Sequence, residues 1–117
     1  MSEPTLVDAL SAEHYVWGNA CDGWHLLKEQ DLSVIQERVP ADAGEVRHFH
    51  ARSRQFFYVL SGTATVELDG STVSLGIGQG LHVPPGVEHR FVNRSSEDVV
   101  FLVISSPTTR GDRTDLR

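Results

Sequence analysis

The sequence predicts an all-β protein with a single domain, and three observations support this fold class. From about residue 24 onward, short runs rich in Val, Ile, Phe and Thr alternate with turn signals at intervals of roughly eight to twelve residues. Asp69-Gly70 is a dipeptide typical of a tight type I′ hairpin. Pro84-Pro85-Gly86 removes two backbone donors and then supplies a residue that tolerates positive φ, so no strand can pass through it. The 117 residues are enough for one domain and too few for two independent cores.

The elements follow from this pattern in chain order. Residues 1–23 precede the first predicted strand, and the scattered apolar side chains of residues 6–17 favour a weak helical or irregular arm. The predicted barrel occupies residues 24–104. Its predicted strands are 24–28, 32–39, 46–50, 55–61, 63–68, 71–75, 80–83, 89–93 and 99–104. Residues 105–117 are polar and contain Pro, Gly and charges, which is typical of a surface tail.

The composition disfavours several classes of function. Ten basic and sixteen acidic side chains give a formal net charge of −6, and no Lys/Arg-rich block is present, which disfavours a nucleic-acid partner. No window approaches the ~18 unbroken apolar residues of a membrane span. The first ten residues lack the features of a secretory signal, and the single cysteine, Cys21, cannot form an internal disulfide. We therefore expect a cytoplasmic protein without a membrane partner.

The histidines are the candidate functional residues. His48 and His50 form His-Phe-His on a predicted strand, and side chains alternate across a strand, so both imidazoles point to one face. Residues 51–54 can turn the chain and return Gln55 beside them. His89 opens another predicted strand after the Pro-Pro-Gly corner and can supply a third imidazole. The spacing alone leaves two interpretations open, a metal site and a set of polar residues at the mouth of a barrel.

Two blocks of residues with fixed spacing carry a resemblance to a known family. The blocks are Gly44-x3-His48-x-His50-x4-Gln55-x6-Gly62 and Gly78-x5-Pro84-x-Gly86-x2-His89-x3-Asn93. They resemble the two motifs of the cupin superfamily, and the second block matches that family's pattern at every named position. The first block departs from it twice, because Gly44 lies two residues nearer the histidines than the usual glycine and Gln55 stands where a glutamate is usual.

The resemblance implies a double-stranded β-helix, or jelly-roll, barrel that forms a homodimer. It also implies one divalent transition metal held by His48, His50 and His89, with Gln55 in the place of the usual glutamate. Such imidazole-rich sites accept Zn, Ni, Fe, Mn or Cu with little discrimination. Gln55 either coordinates the ion or only forms hydrogen bonds within the pocket. Neutral ligands leave the ion its full formal charge of two, which favours Lewis-acid chemistry over dioxygen activation.

Three functions are compatible with these residues. The first is an enzyme (an isomerase, lyase or oxygenase) that acts on a small carboxylated or sugar-derived metabolite. The second is a cupin that binds or senses a small ligand without turnover, which the lack of an evident catalytic acid or base favours. The third is the linearisation of uronates in pectin and alginate breakdown, since Ser106-Pro107 is similar to an element of the cupins with that activity. That group has an aspartate and an aromatic residue on its last strand, whereas this chain has Val103 and Ser105 at the nearest positions.

Overall fold

The computed structural model describes residues 3–116, which form two antiparallel sheets of a jelly-roll barrel. The all-β prediction is confirmed. The strands are β1 (Glu13–Trp17), β2 (Cys21–Lys28), β3 (Ser33–Val39), β4 (His48–Phe49), β5 (Arg54–Ser61), β6 (Ala64–Leu68), β7 (Ser71–Leu75), β8 (Gly80–Val83), β9 (His89–Val92), β10 (Val99–Ser106) and β11 (Thr114–Asp115). One sheet has the order β1-β2-β3-β10-β5-β8 and the other β11-β4-β9-β6-β7. Within the described range there is no helix long and apolar enough to cross a membrane.

The apolar core lies between the two sheets. On β10, Val99, Phe101 and Val103 are buried at alternate positions, as expected for a strand with one face inward. Phe57 on β5 and Phe91 on β9 complete an aromatic cluster with Phe101, and the Phe91 and Phe101 rings stack with centroids 3.9 Å apart. Burial of these side chains holds the two sheets together and leaves one end of the interior for polar residues.

Both ends of the chain contribute strands to the sheets. The helical or irregular interpretation of residues 6–17 is wrong for residues 13–17, which form β1 and pair with β2. The reason is an alternation that the scattered apolar positions obscured, since Tyr15 and Trp17 are partly buried while His14 and Val16 are exposed. In the predicted surface tail, the two residues of β11 pair with β4. The division of the chain at residues 23 and 104 stays a prediction.

The two predicted turns differ in outcome. Leu68 pairs with Ser71, so Asp69-Gly70 is the two-residue loop of a hairpin between β6 and β7. Only Gly70 has positive φ there, at 78°, whereas a type I′ turn requires positive φ at both central residues, so the predicted turn type is wrong. Pro84-Pro85-Gly86 connects β8 and β9 as expected. Its glycine has a φ of 81°, and its N–H donates to the carbonyl of His50 at 2.7 Å, which ties this corner to the histidines.

Candidate metal centre

Three buried histidines converge at one end of the barrel interior. His48 on β4 lies directly opposite His89 on β9, and His50 follows β4 immediately. One ring nitrogen from each imidazole lies within 4.8 Å of the other two, and no ring is more than 4% exposed. The structure therefore brings together the three histidines that the sequence singled out.

Backbone carbonyls fix the tautomer of all three rings. Each Nδ1–H donates to a carbonyl oxygen; the bonds run from His48 to Val46 at 2.7 Å, from His50 to Asp112 at 2.7 Å and from His89 to Val87 at 2.9 Å. A carbonyl oxygen only accepts, so the proton must be on Nδ1 and the lone pair on Nε2. This arrangement is the usual support of a metal-binding histidine, because it orients the ring and leaves Nε2 free to coordinate.

The Nε2 atoms have the surroundings that a cation requires. His50 Nε2 is buried and has no hydrogen-bond partner among the described residues. His89 Nε2 lies 3.0 Å from Gln55 Oε1, although both atoms are acceptors when Nδ1 carries the ring proton. Two lone pairs facing each other are satisfied when a shared cation binds, so the residues present fit a divalent transition metal.

Gln55 reaches the histidines from the opposite sheet. It lies on β5 opposite Ser105 of β10, and its side-chain NH₂ donates to Ser105 Oγ at 3.2 Å. This bond turns the amide oxygen toward His89. The geometry is compatible with both interpretations of Gln55, and its coordination of the ion stays a prediction.

The C-terminal segment secures His50. Besides the carbonyl of Asp112 that accepts from His50, the Asp112 carboxylate accepts from the backbone N–H groups of Ala51, Arg52 and Ser53 at 2.8, 3.0 and 2.8 Å. Burial would raise the pKa of this carboxyl group, but the three N–H bonds outweigh burial and hold the pKa below its usual range. Sequence reasoning missed this contact because nothing in a polar tail marks one aspartate as an anchor.

A cavity of about 210 Å³ adjoins the histidines and contains acidic groups that sequence reasoning also missed. Its lining includes Tyr15, Glu37, Glu45, Gln55 and Arg113. The available signal was Glu37 itself, since it falls on the same strand face as Ile35 and Val39, where an apolar residue is expected.

Glu45 lies close to the three histidines. Its Oε1 accepts the N–H of Phe91 at 3.1 Å, and its Oε2 lies 3.8 Å from His48 Nε2. A carboxyl group therefore stands beside the histidines, in addition to the neutral ligand set expected from the sequence, which stays a prediction. Gly44 lets this segment approach β9, since a Cβ there would lie 2.7 Å from the carbonyl oxygen of Phe91.

Burial governs the protonation of the centre. It lowers the pKa of His48 to about 4 and lowers that of His89, and it raises the pKa of Glu45. His48 and His89 are therefore neutral at neutral pH. Neutral imidazoles offer the lone pairs that a metal needs.

A wider depression of about 410 Å³ lies next to the cavity. The two share Ile35 and Thr109. Its lining contains two basic residues, Lys28 and Arg110, and one acidic residue, Glu29. The lining of this depression therefore carries a small excess of positive charge.

Comparisons with known proteins agree with the fold and the motifs. The sequence profile of the cupin domain matches residues 35–105. An uncharacterized protein, SCO3923 of Streptomyces coelicolor, is 34% identical over 103 residues, which are 86% of this chain and 92% of that protein. The polyketide synthase CurC of Streptomyces cyaneus is 40% identical over 60 residues. Those residues are 51% of this chain and only 39% of CurC.

Solved structures resemble the whole barrel. KdgF from Halomonas superposes with a TM-score of 0.82 at 20% identity, covering 92% of this chain and 98% of that one. The polyketide cyclase RemF from Streptomyces resistomycificus gives a TM-score of 0.78 at 20% identity, covering 91% of this chain and 81% of that one. At these identities the similarity shows a shared fold alone.

Proposed function

This chain belongs to the cupin family, and we propose that it is a metal-dependent enzyme that transfers protons on a small carbonyl compound, as an isomerase or a lyase. The observation that carries the proposal is the set of three imidazoles whose Nδ1–H groups are all held by carbonyls, so that their Nε2 atoms are left for one ion. Acidic and hydroxyl groups line the adjacent cavity and can exchange protons with a bound molecule.

His48, His50 and His89 hold the ion in this proposal, and Gln55 is its fourth ligand. The ion is a divalent transition metal, Zn, Ni, Fe, Mn or Cu, since imidazole nitrogen suits each of these. When bound, it supplies Lewis acidity that polarises a carbonyl oxygen. Three buried rings with their second nitrogens held by backbone groups are already organised for coordination.

The substrate is a small carboxylated or sugar-derived metabolite. Arg110 in the adjoining depression forms no ion pair among residues 3–116 and can attract a negatively charged group. Arg113 and Lys28 pair with Asp115 and Glu13 and add to this attraction only in part. The partial similarity to CurC is compatible with a substrate that bears carbonyl groups. A cavity of about 210 Å³ favours a small molecule.

The two alternatives have less support. The lack of an evident acid or base favoured a sensing protein, but Glu37, Glu45 and Tyr15 now lie in the cavity. For uronate linearisation, Val103 and Ser105 line the cavity, so β10 supplies neither the aspartate nor the aromatic residue of that group. The similarity to KdgF supports only the fold.

A cytosolic location and a homodimer are further parts of this proposal. β1 is an edge strand of its sheet, and the exposed Val16 on it offers an apolar side chain to a second copy. A homodimer is also what the resemblance to small cupins implies. Fractionation of cells tests the location, and light scattering tests the dimer.

Solvent exchange tests the enzymatic proposal without knowledge of the natural substrate. Zinc-loaded protein is incubated in D₂O with pyruvate or dihydroxyacetone, and NMR follows deuterium entry at the carbon next to the carbonyl. We expect faster exchange than in buffer for at least one of the two compounds, and loss of that acceleration in His89→Ala. No acceleration of either compound by protein that has bound zinc would contradict the proposed function.

A further inference from the structure

Tyr15, Gly23 and Glu37 form one row across three neighbouring strands. In the register of the sheet, Tyr15 on β1 pairs with Gly23 on β2, which pairs with Glu37 on β3. A Cβ at Gly23 would lie 2.2 Å from Tyr15 Cζ, so the tyrosine ring occupies the space left by the missing side chain. The ring crosses the middle strand there, and its hydroxyl donates to Glu37 Oε2 at 3.0 Å. Gly23 thus leaves the space in which the Tyr15 ring lies, and this position allows the Tyr15 hydroxyl to reach the Glu37 carboxyl group.

The Glu37 carboxyl group lines the same cavity as His48, His50 and Gln55. Among residues 3–116, Tyr15 is its one hydrogen-bond partner. Because the tyrosine donates to Oε2, a proton on the carboxyl group resides on Oε1 and can be given to another molecule. A partly buried acid with one hydrogen-bonded oxygen and one free oxygen is suited to donate a proton.

The surroundings of Glu37 favour its protonated form. Burial, followed by the charge of Glu45, raises its pKa to about 8, and the Tyr15 hydrogen bond and Arg113 oppose this only in part. Tyr15 lies on β1, Glu45 lies in the segment before β4, and Arg113 lies in the C-terminal segment. β10 contributes only the uncharged Val103 and Ser105 to the cavity lining.

We propose that Glu37 is the general acid of this cavity and that Tyr15 and Gly23 are its positioning residues. The inference rests on the proposed function, and it names the substrate class as a ketone or aldehyde with a hydrogen on the neighbouring carbon. It assigns a reaction role to a residue outside both histidine motifs. Tyr15 then stabilises the carboxylate that remains after proton transfer.

Each proton is accounted for in the proposed conversion of a ketone to its enol. The Glu37 Oε1–H bond breaks and an O–H bond forms on the carbonyl oxygen, while the C–H bond at the neighbouring carbon breaks and a water molecule takes that proton. The electron pair of the C–H bond becomes the new C=C bond of the enol, and the pair of the carbonyl π bond takes up the proton from Glu37. The water then returns its proton to the Glu37 carboxylate. The net change is ketone to enol, with no oxidant or reductant.

Two measurements on the zinc-loaded protein test this inference. Glu37→Gln removes the acidic proton at nearly constant shape, and Glu67→Gln is the matched control, since Glu67 is partly buried, pairs with Arg90 and does not line the cavity. In protein labelled with ¹³C at the glutamate side-chain carboxyl carbon, the signal that Glu37→Gln removes belongs to Glu37. Its titration gives the protonation state directly, and exchange with pyruvate or dihydroxyacetone gives the rate.

We expect the Glu37 signal to be that of a protonated carboxyl group at neutral pH. The exchange rate should fall at least tenfold in Glu37→Gln and stay at the wild-type value in Glu67→Gln. Gly23→Ala, whose methyl group displaces the Tyr15 ring, should shift the titration of Glu37 and slow exchange without loss of zinc. A Glu37 group that is ionised at neutral pH, or exchange at the wild-type rate in Glu37→Gln, would overturn this inference alone. Absence of exchange in the wild-type protein overturns the proposed function instead.

Discussion

Replacement of Asp112 by alanine should weaken both the fold and the metal centre. The carboxylate accepts three backbone N–H groups, and hydrogen bonds to a charged acceptor are worth about 1.5–3 kcal/mol each. Ala51 and Arg52 are exposed, so water can replace the acceptor for those two donors, but Ser53 is only 1% exposed and its N–H is left unsatisfied. We therefore expect Asp112→Ala to lower the free energy of unfolding by roughly 3 kcal/mol, less than the sum of three intact bonds.

The same substitution should reduce metal affinity. The carbonyl of Asp112 orients His50, and without the anchor this segment no longer holds that carbonyl 2.7 Å from Nδ1. Loss of the partner that orients a metal-binding histidine commonly costs about 10–100-fold in affinity, and we expect roughly tenfold here.

Urea unfolding followed by tryptophan fluorescence and zinc titration of the folded protein measure the two effects. Asp31→Ala is the control, since Asp31 is exposed and the bond it forms uses its backbone carbonyl. Folded Asp112→Ala that binds zinc as tightly as the wild type would refute the role of the C-terminal segment in the centre. An unchanged free energy of unfolding would refute the stabilising role of the hydrogen bonds that the Asp112 carboxylate accepts.

Three further predictions concern Gln55, His48 and the edge strand β1. If Gln55 coordinates the ion, Gln55→Glu should bind zinc at least roughly tenfold more tightly than the wild type. A unit charge close to a cation is worth about 4 kcal/mol in a partly screened site, and desolvation of the carboxylate offsets only part of this energy. Equal affinities of the two proteins in side-by-side titrations would remove Gln55 from the ligands. The pKa of His48 is about 4 in the folded chain and about 6.5 in the unfolded chain. As the pH falls, His48 therefore takes up its proton in the unfolded chain before it does so in the folded chain, which favours unfolding. The stability of metal-free protein should therefore be full above about pH 6.5 and decline toward pH 4, and urea unfolding with no such decline would contradict the buried state of this ring. Light scattering should give the mass of a dimer, and a monomer at micromolar concentration would count against pairing through β1.

Local patterns in the sequence predicted the barrel and the convergence of its histidines. Short β-rich runs and turn residues carry their signal within a few positions, so most strands could be placed from them. The two histidine motifs fix the relation between β4 and β9, and the structure places His48 directly opposite His89. The predicted type I′ turn failed because the dipeptide Asp69-Gly70 also suits a turn with a single positive φ.

The parts of the site that the sequence did not predict depend on contacts between distant segments. Tyr15 reaches Glu37 only through the register of three strands, and Asp112 reaches Ser53 from a segment with no periodic pattern. A glutamate on the inward face of a strand was the one local signal, and Glu37 carried it. Chain topology, and not residue type, decides whether such a group meets the histidines.

Metal analysis of the natural protein tests the central claim most directly. The wild type and the variants His50→Ala, His89→Ala and His14→Ala are purified without a nickel column and analysed by mass spectrometry, with circular dichroism to verify folding. We expect about one divalent transition metal ion per chain in the wild type and in His14→Ala, whose exposed ring pairs with Asp22 away from the cavity. His50→Ala and His89→Ala should lose most of the metal and keep the barrel, because the apolar interior between the sheets is unchanged. Wild-type metal content in both folded variants would contradict the assignment of this centre.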